Sequence, residues 1–225
     1  MKEVQDHWFR LAKEEGYRSR AAYKLIDVDD RKRVLRRGDR VLDAGAAPGS
    51  WSQVAAQRVG PKGEVLGVDL KAINGGGYPS NVRFLQADLR DVDLAAPPFD
   101  GRPFDVILSD MAPDTTGDPM GDHFRSARLC HDLLDLAVRC LRRGGNGGNL
   151  VMKVFEGGEY PELLRRAERM FGEAKGYKPR ASRSESVEMF VICLGFNGTD
   201  GRVASAEDAT LPKRRPSAGW GANGS

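Results

Sequence analysis

The chain contains few cysteines and no long apolar segment. Its three cysteines, Cys130, Cys140 and Cys193, form no C-x-x-C pair, which argues against a disulfide framework. No stretch approaches the ~20 apolar residues of a membrane span, and the amino terminus has no apolar signal core. We therefore expect a soluble cytoplasmic protein with reduced thiols.

Histidine is also scarce, and neither sign of charge dominates. His7, His123 and His131 form no cluster, so we predict no metal site. The formal net charge is only +3, so a nucleic-acid partner has to be argued from local clusters. The length suits one core, predicted at residues 40–196, with a helical basic segment at 1–39 and a disordered polar tail at 197–225.

Strand and helix patterns alternate along the predicted core. The expected strands are 40–43, 64–69, 82–87, 104–109, 150–154 and 187–194, and the expected helices are 50–58, 123–141 and 160–170. Apolar runs suit strands buried on both faces, so this alternation predicts an α/β fold with a mostly parallel sheet and helices on both faces. Ligands of such sheets bind at the carboxyl ends of the strands.

A glycine-bounded turn follows the first predicted strand, and a helix with Trp51 in its first turn follows the turn. The turn consists of Gly45, Ala46, Ala47, Pro48 and Gly49. Glycines let the backbone approach a ligand, and the helix amino terminus offers free N–H groups. Ala47 replaces the second glycine of G-x-G-x-x-G, which disfavours NAD and favours a cofactor without phosphates, such as S-adenosylmethionine. A tight structural turn, or a different nucleotide site, is the alternative.

Four acidic residues stand at or just after the ends of predicted strands: Asp43, Asp69, Asp88 and Asp110. Because the carboxyl ends of parallel strands meet at one edge, all four should share a rim and contact the cofactor. Asp69 is the candidate partner of the ribose and Asp88 of the adenine, each with its neighbour, Leu70 or Leu89. A helix cap or a solvated loop acid is the alternative for Asp69 and Asp88.

Lys153 interrupts an otherwise apolar predicted strand. A buried lysine is costly unless it is paired, and Asp110 at the neighbouring strand end could pair with it. Lys24 and Glu188 are two further charges that could join them. The alternative is an edge-strand lysine whose ammonium reaches water.

Four motifs, in this order along the chain, resemble the FtsJ/RrmJ family of RNA ribose 2′-O-methyltransferases. They are 18–25 (RSRAAYKL), 43–53 (DAGAAPGSWSQ), 109–113 (SDMAP) and 153–155 (KVF). The similarity extends from about Trp8 to Gly195 and is greatest to the branch that acts on the large ribosomal subunit.

The resemblance implies a fold, a cofactor and a catalytic set. The fold would be a Rossmann-like S-adenosylmethionine-dependent methyltransferase with a seven-stranded sheet. The family's Lys-Asp-Lys-Glu tetrad falls on Lys24, Asp110, Lys153 and Glu188. Lys153 would contact the 2′-oxygen, Asp110 would orient Lys153, and Lys24 and Glu188 would hold the ribose.

The substrate implied by the resemblance is a uridine of 23S ribosomal RNA within the large subunit, methylated by a monomeric enzyme. A relative that acts on tRNA, an RNA-binding ribosome-assembly module and an NAD-dependent oxidoreductase are the alternatives. Ala44 and Phe190 depart from the family's usual residues at their positions, and Glu185 is a nearby competitor for the role of Glu188.

Two basic clusters predict RNA contacts. The predicted contacts are Arg18, Arg20, Arg33 and Arg36 in the first cluster and Arg180 and Arg183 in the second. If both clusters flank the strand-end cleft, they form a rim for phosphates. Acidic neighbours dilute the first cluster, so a solvated helix face is the alternative.

Overall fold

The computed structural model of the chain describes residues 2–74, 76–182 and 186–202. The helices are α1 (Lys2–Glu14), α2 (Ala22–Lys32), α3 (Ser50–Val59), α4 (Pro119–Cys140) and α5 (Tyr160–Met170). The strands are β1 (Arg40–Ala44), β2 (Glu64–Asp69), β3 (Val82–Gln86), β4 (Val106–Ser109), β5 (Asn149–Phe155), β6 (Phe171–Tyr177) and β7 (Glu188–Phe196).

All seven strands join one sheet in the order β3-β2-β1-β4-β5-β7-β6. Strands β1 to β5 pair in parallel, whereas β7 is antiparallel to both of its neighbours. The predicted α/β fold with a mostly parallel seven-stranded sheet is confirmed. The direction of strand order reverses between β1 and β4, which is where an open parallel sheet leaves a crevice for a ligand.

Alternate residues of the strands supply two separate cores. Val41 of β1 packs in a cluster with α2 and α3, whereas the next residue, Leu42, packs in a cluster with α4 and α5. Successive strand side chains point to opposite faces, so a sheet with helices on both faces needs apolar residues at every position. This requirement explains the uninterrupted apolar runs of β1 and β4.

Two elements differ from the sequence-based boundaries. Helix α4 begins at Pro119, four residues before the predicted start, and has the proline in its first turn, where a missing N–H costs nothing. Strand β6 was not predicted. It lies at the edge of the sheet, and only Phe171 and Ala174 of its residues are buried.

The segments that precede β1 and follow β7 in the sequence pack against the rest of the fold. Leu25 and Val28 of α2 are fully buried in the cluster that contains α3, so α2 is fixed against the sheet. After β7, Asn197 donates to the Met170 carbonyl, and Arg166 donates to the Asp200 carbonyl. Residues 203–225 of the predicted tail lie outside the described residues, and the division at 39/40 and 196/197 stays a prediction.

Candidate active site

The turn after β1 depends on its two glycines. Gly45 has φ 74° and Gly49 has φ 100°, a region that L side chains rarely adopt. A Cβ at Gly45 would overlap Met111, and a Cβ at Gly49 would overlap the Tyr78 hydroxyl. Gly49 immediately precedes α3, so the turn leads into the amino end of a helix at the switch point of the sheet.

Asp69 and Asp43 hold this turn from two sides. The Asp69 carboxylate accepts hydrogen bonds from the Ala47 N–H and the Lys71 N–H, both at 2.8 Å. Asp43 is 1% exposed and accepts a hydrogen bond from the Ser52 hydroxyl at 2.6 Å. Burial, with the nearby charges of Asp110 and Asp69, raises the pKa of Asp43 to about 7 although the Ser52 hydrogen bond lowers it. Asp43 therefore supports the turn from the core side. This position differs from the prediction, which placed Asp43 on the open rim.

The other predicted cofactor contacts differ in their exposure and in their partners. Trp51 is 2% exposed, and its indole N–H donates to the Ala21 carbonyl at 2.9 Å, so this side chain belongs to the core and not to the open side of the turn. Asp88 forms an ion pair with Arg90 at 2.5 Å, and this hydrogen bonding lowers the pKa of Asp88 to about 2. Leu89 packs against the apolar core, whereas Leu70 is 66% exposed.

The four charged residues predicted as a tetrad meet at the carboxyl edge of the sheet. Lys153 Nζ lies 3.1 Å from Asp110 Oδ1 and 3.8 Å from Glu188 Oε1. Lys24 Nζ donates to Glu188 Oε2 at 2.9 Å. The two lysine side chains are 7–8% exposed and the two carboxylates 22–24% exposed. The result is a chain of alternating charges that is partly open to solvent.

Each member of this chain comes from a different element. Lys153 and Glu188 come from the paired strands β5 and β7, where Phe155 is opposite Glu188 and Lys153 opposite Phe190. Asp110 directly follows β4, and Lys24 lies in the first turn of α2 above the Phe190 ring. Burial alone would raise the pKa of Glu188, but the charges of Lys24 and Lys153 outweigh it and lower that pKa.

Asp110 retains an unused acceptor. Its Oδ1 atom is buried and accepts no hydrogen bond within the described residues, because the nearby Lys153 ammonium lies within ion-pair distance but outside hydrogen-bond geometry. A buried carboxylate oxygen without a hydrogen bond is unusual and costly. The charge of this oxygen is therefore balanced by the Lys153 ammonium without a hydrogen bond.

Helix α4 holds the end of β5 that carries Lys153. Strand β4 ends at Ser109, which pairs with Met152, so the next residues of β5 have no strand beside them on that side. The Cys130 thiol donates to the Lys153 carbonyl at 3.1 Å, and the Phe155 N–H donates to the Ser126 hydroxyl at 2.9 Å. These two side chains replace the missing strand and fix the backbone from Lys153 to Phe155.

A second set of contacts covers the turn. The Arg18 guanidinium donates to the carbonyl oxygens of Asn74 and Gly76 at 3.0 and 2.9 Å and lies 5.0 Å from the centre of the Tyr78 ring. The Tyr78 hydroxyl in turn donates to the Pro48 carbonyl. Arg18 therefore links the segment after β2 to the glycine-bounded turn.

The predicted RNA contacts do not share one rim. Arg18 and Arg20 precede α2 near the carboxyl edge, and Arg180 is bound to the buried Asp27 carboxylate there at 2.9 Å. Arg33 and Arg36 do not flank the cleft at the carboxyl edge. Val34 accepts a hydrogen bond from the side chain of Asn149 at the start of β5, so these arginines lie at the amino edge of the sheet. Arg183 and Glu185 lie outside the described residues.

Comparison with known proteins assigns the family. A model of FtsJ-like methyltransferases matches residues 17–196. The chain belongs to the FtsJ-like methyltransferase family. The ribosomal RNA large subunit methyltransferase E of Nitratidesulfovibrio vulgaris strain DP4 is 44% identical over 205 residues, which cover 89% of this chain and 97% of that protein. The protein of the same name from Syntrophobacter fumaroxidans is 47% identical over 190 residues, 84% of this chain and 94% of that protein.

A solved structure agrees with this assignment. It is described as a ribosomal RNA methyltransferase from Plasmodium falciparum, with a TM-score of 0.69 and 28% identity over 81% of this chain and 100% of that chain. Family membership confirms the resemblance drawn from the four motifs. Among the described residues of this family member, no helix is long and apolar enough to cross a membrane, and no group of three side chains is arranged to hold a metal.

Sequence reasoning missed the two α4 residues that hold β5. Ser126 and Cys130 are four residues apart and so share one face of the helix. That spacing is visible in the sequence of this FtsJ-like chain, but it indicates only a buried helix face. Their role depends on where β4 stops, which only the assembled sheet reveals.

Proposed function

We propose that the protein transfers a methyl group from S-adenosylmethionine to a ribose 2′-hydroxyl of large-subunit ribosomal RNA, at a uridine of 23S rRNA. The observation that carries the proposal is the buried Lys153 between two carboxylates, beside the glycine-bounded turn. The names of the most similar relatives support ribosomal RNA of the large subunit as the substrate. The absence of the G-x-G-x-x-G pattern supports a cofactor without phosphates.

The residues at the turn fit S-adenosylmethionine. Asp69 is the last residue of β2, the strand whose acidic end binds ribose hydroxyls in related folds, and the partly exposed Asp110 carboxylate at the same edge suits a cationic cofactor. The backbone from Gly45 to Gly49 would hold the amino-acid end. When bound, the cofactor supplies an electrophilic methyl group on a sulfonium.

The tetrad then has to orient a weak nucleophile and take its proton. Holding the 2′-oxygen in line can supply about 7–11 kcal/mol of the barrier, and proton transfer assistance about 10²–10⁴-fold in rate. We assign the 2′-oxygen to Lys153 Nζ, with Asp110 orienting that nitrogen. Glu188, held by Lys24, balances the charge. A neutral Lys153 would accept the proton as a base, and a charged one would stabilise the developing oxyanion; a pH–rate profile distinguishes the two.

The test is the position of the transferred methyl group. Large-subunit particles that lack the modification are incubated with the enzyme and S-adenosylmethionine labelled in the methyl group, and the RNA is hydrolysed in alkali. A 2′-O-methyl group blocks cleavage, so we expect the label in an alkali-stable dinucleotide that begins with uridine. Label in a mononucleotide, as methylation of a base would give, would contradict the ribose assignment. Label that appears with tRNA and not with large-subunit RNA would favour the tRNA alternative.

A further inference from the structure

The amino edge of the sheet carries four arginines that form no ion pair within the described residues. Arg33 and Arg36 follow α2, and Arg139 and Arg143 lie at and after the end of α4; all four are exposed. Other arginines at this edge are paired, such as Arg142 with Asp105 at 3.2 Å and Arg102 with Glu64 at 2.8 Å. Within the described part of the chain, none of the four has an ion-pair partner.

These four arginines line two cavities. Arg33 and Arg36 line a cavity of about 230 Å³ that also contains Asn146, Asn149 and the ion pair of Lys32 with Glu173. Arg139 and Arg143 line a second cavity of about 520 Å³ whose floor includes Phe104 and Leu141. The first cavity lies beside α2 and the second beside α4, so they open on opposite faces of the sheet. The 142–148 loop lies between them.

The 142–148 loop has backbone N–H groups that make no hydrogen bond in the described structure. Gly144 and Gly145 both have positive φ, and a Cβ on either would meet nothing within 4 Å. In the described structure the Gly147 N–H donates to the Gly144 carbonyl, whereas the N–H groups of Gly145 and Asn146 donate to no protein acceptor. Open N–H groups in a glycine-rich loop beside arginines form an arrangement that binds anions.

We propose that this amino-edge surface, formed by Arg33, Arg36, Arg139, Arg143 and the 142–148 loop, binds phosphates of the ribosomal RNA away from the nucleotide that is methylated. The proposal rests on the proposed function for the identity of the RNA. Lys153 lies four positions after Asn149 in β5, which is about 13 Å at the rise of a strand. The surface therefore contacts a part of the RNA that does not enter the cleft.

The chemistry favours RNA over a protein partner. The planar guanidinium binds phosphate in a bidentate manner, and exposed loop N–H groups add to it. A protein interface usually needs large apolar side chains at its centre. The exposed large hydrophobic residues of the described chain, Phe9, Leu70, Met120, Phe124 and Val187, line neither cavity.

The experiment measures RNA affinity against salt concentration for two double variants, R33A/R36A and R139A/R143A. The control is R128A/R165A, which removes two exposed arginines from α4 and α5 without an ion-pair partner in the described structure. Each lost phosphate contact lowers the slope of log K against log salt by about 0.7–0.9. We therefore expect each test variant to lower the slope by about 1.5 for large-subunit RNA, and the control to stay within half of that.

A second substrate separates the amino-edge surface from the cleft. With a short RNA hairpin that carries only the target nucleotide and its flanking stem, the test variants should match the wild type in affinity. With large-subunit RNA they should raise KM and leave kcat within about twofold. Wild-type slopes in both variants would overturn the proposal, as would a loss of binding to intact particles with unchanged binding to naked RNA, which would indicate a protein partner. The slopes do not depend on methyl transfer, so failure of the proposed function would be seen separately in the labelling assay.

Discussion

Asp43 makes the stability of the protein depend on pH in a direction opposite to that of an ordinary salt-bridged carboxylate. Its side chain is 1% exposed under the turn, and burial raises its pKa from 3.8 to about 7. Between these two values the folded state holds a proton that the unfolded state has released. The free energy of unfolding therefore falls as pH rises.

The size of the effect follows from linkage. While one extra proton is bound by the folded state, the free energy of unfolding falls by about 1.4 kcal/mol per pH unit. The contribution is complete below pH 3.8 and is lost as pH rises through about 7. Asp43→Asn keeps the shape of the protonated acid and cannot ionise, so it removes this dependence.

The assay is urea unfolding of the wild type and of Asp43→Asn at several pH values from 5.0 to 8.0. We expect the free energy of unfolding of Asp43→Asn, relative to that of the wild type, to rise by about 1.4 kcal/mol for each pH unit between 5 and 6.5. This difference should become constant above pH 7. The exposed Asp91→Asn is the matched control and should show a constant difference. A constant difference for Asp43→Asn as well would refute the burial argument.

Three further predictions concern the turn and the tetrad. Asp69→Ala removes the acceptor of the Ala47 N–H and should weaken S-adenosylmethionine binding by about 1.5–3 kcal/mol; unchanged calorimetric affinity would contradict this. Glu188→Gln leaves the buried Lys24 unpaired and should lower the urea-unfolding free energy by about 1–3 kcal/mol, less than for a fully buried pair because Glu188 is partly exposed; equal midpoints would count against it. Ser126→Ala should lower kcat more than cofactor affinity, with rescue by Ser126→Thr; equal losses in both would indicate a purely structural role.

The parts of the fold that depend on local pattern could be predicted. β1 and β4 are apolar at successive positions because helices cover both faces of the sheet, and this requirement appears directly in the sequence. The partly polar sequence of β6 has no continuous apolar run, because an edge strand needs fewer apolar residues. The pairing of Lys153 with Asp110 was predicted because a lysine in an apolar strand needs a partner, and the resemblance to the FtsJ/RrmJ family implied the full tetrad.

Long-range placement could not be predicted in the same way. Arg33 and Arg36 lie close to Lys24 in sequence, but α2 has 11 residues and at 1.5 Å per residue extends about 16 Å. The helix therefore carries these arginines from the carboxyl edge to the amino edge. Trp51 follows the turn in sequence, yet its position on α3 directs the indole to Ala21. The length of a helix decided the position in the first case, and the face of a helix decided it in the second.

The central claim is that Lys153 acts on the reacting oxygen, and single-turnover methyl transfer by Lys153→Met tests it most directly. Methionine retains much of the side-chain volume in the buried site and removes the charge beside Asp110. At saturating S-adenosylmethionine and large-subunit RNA, we expect the rate to fall by about 10²-fold or more, with the affinities for both substrates within about twofold of the wild type. Arg165→Ala, on the exposed face of α5, should keep the wild-type rate. A near-normal single-turnover rate for Lys153→Met would contradict the account.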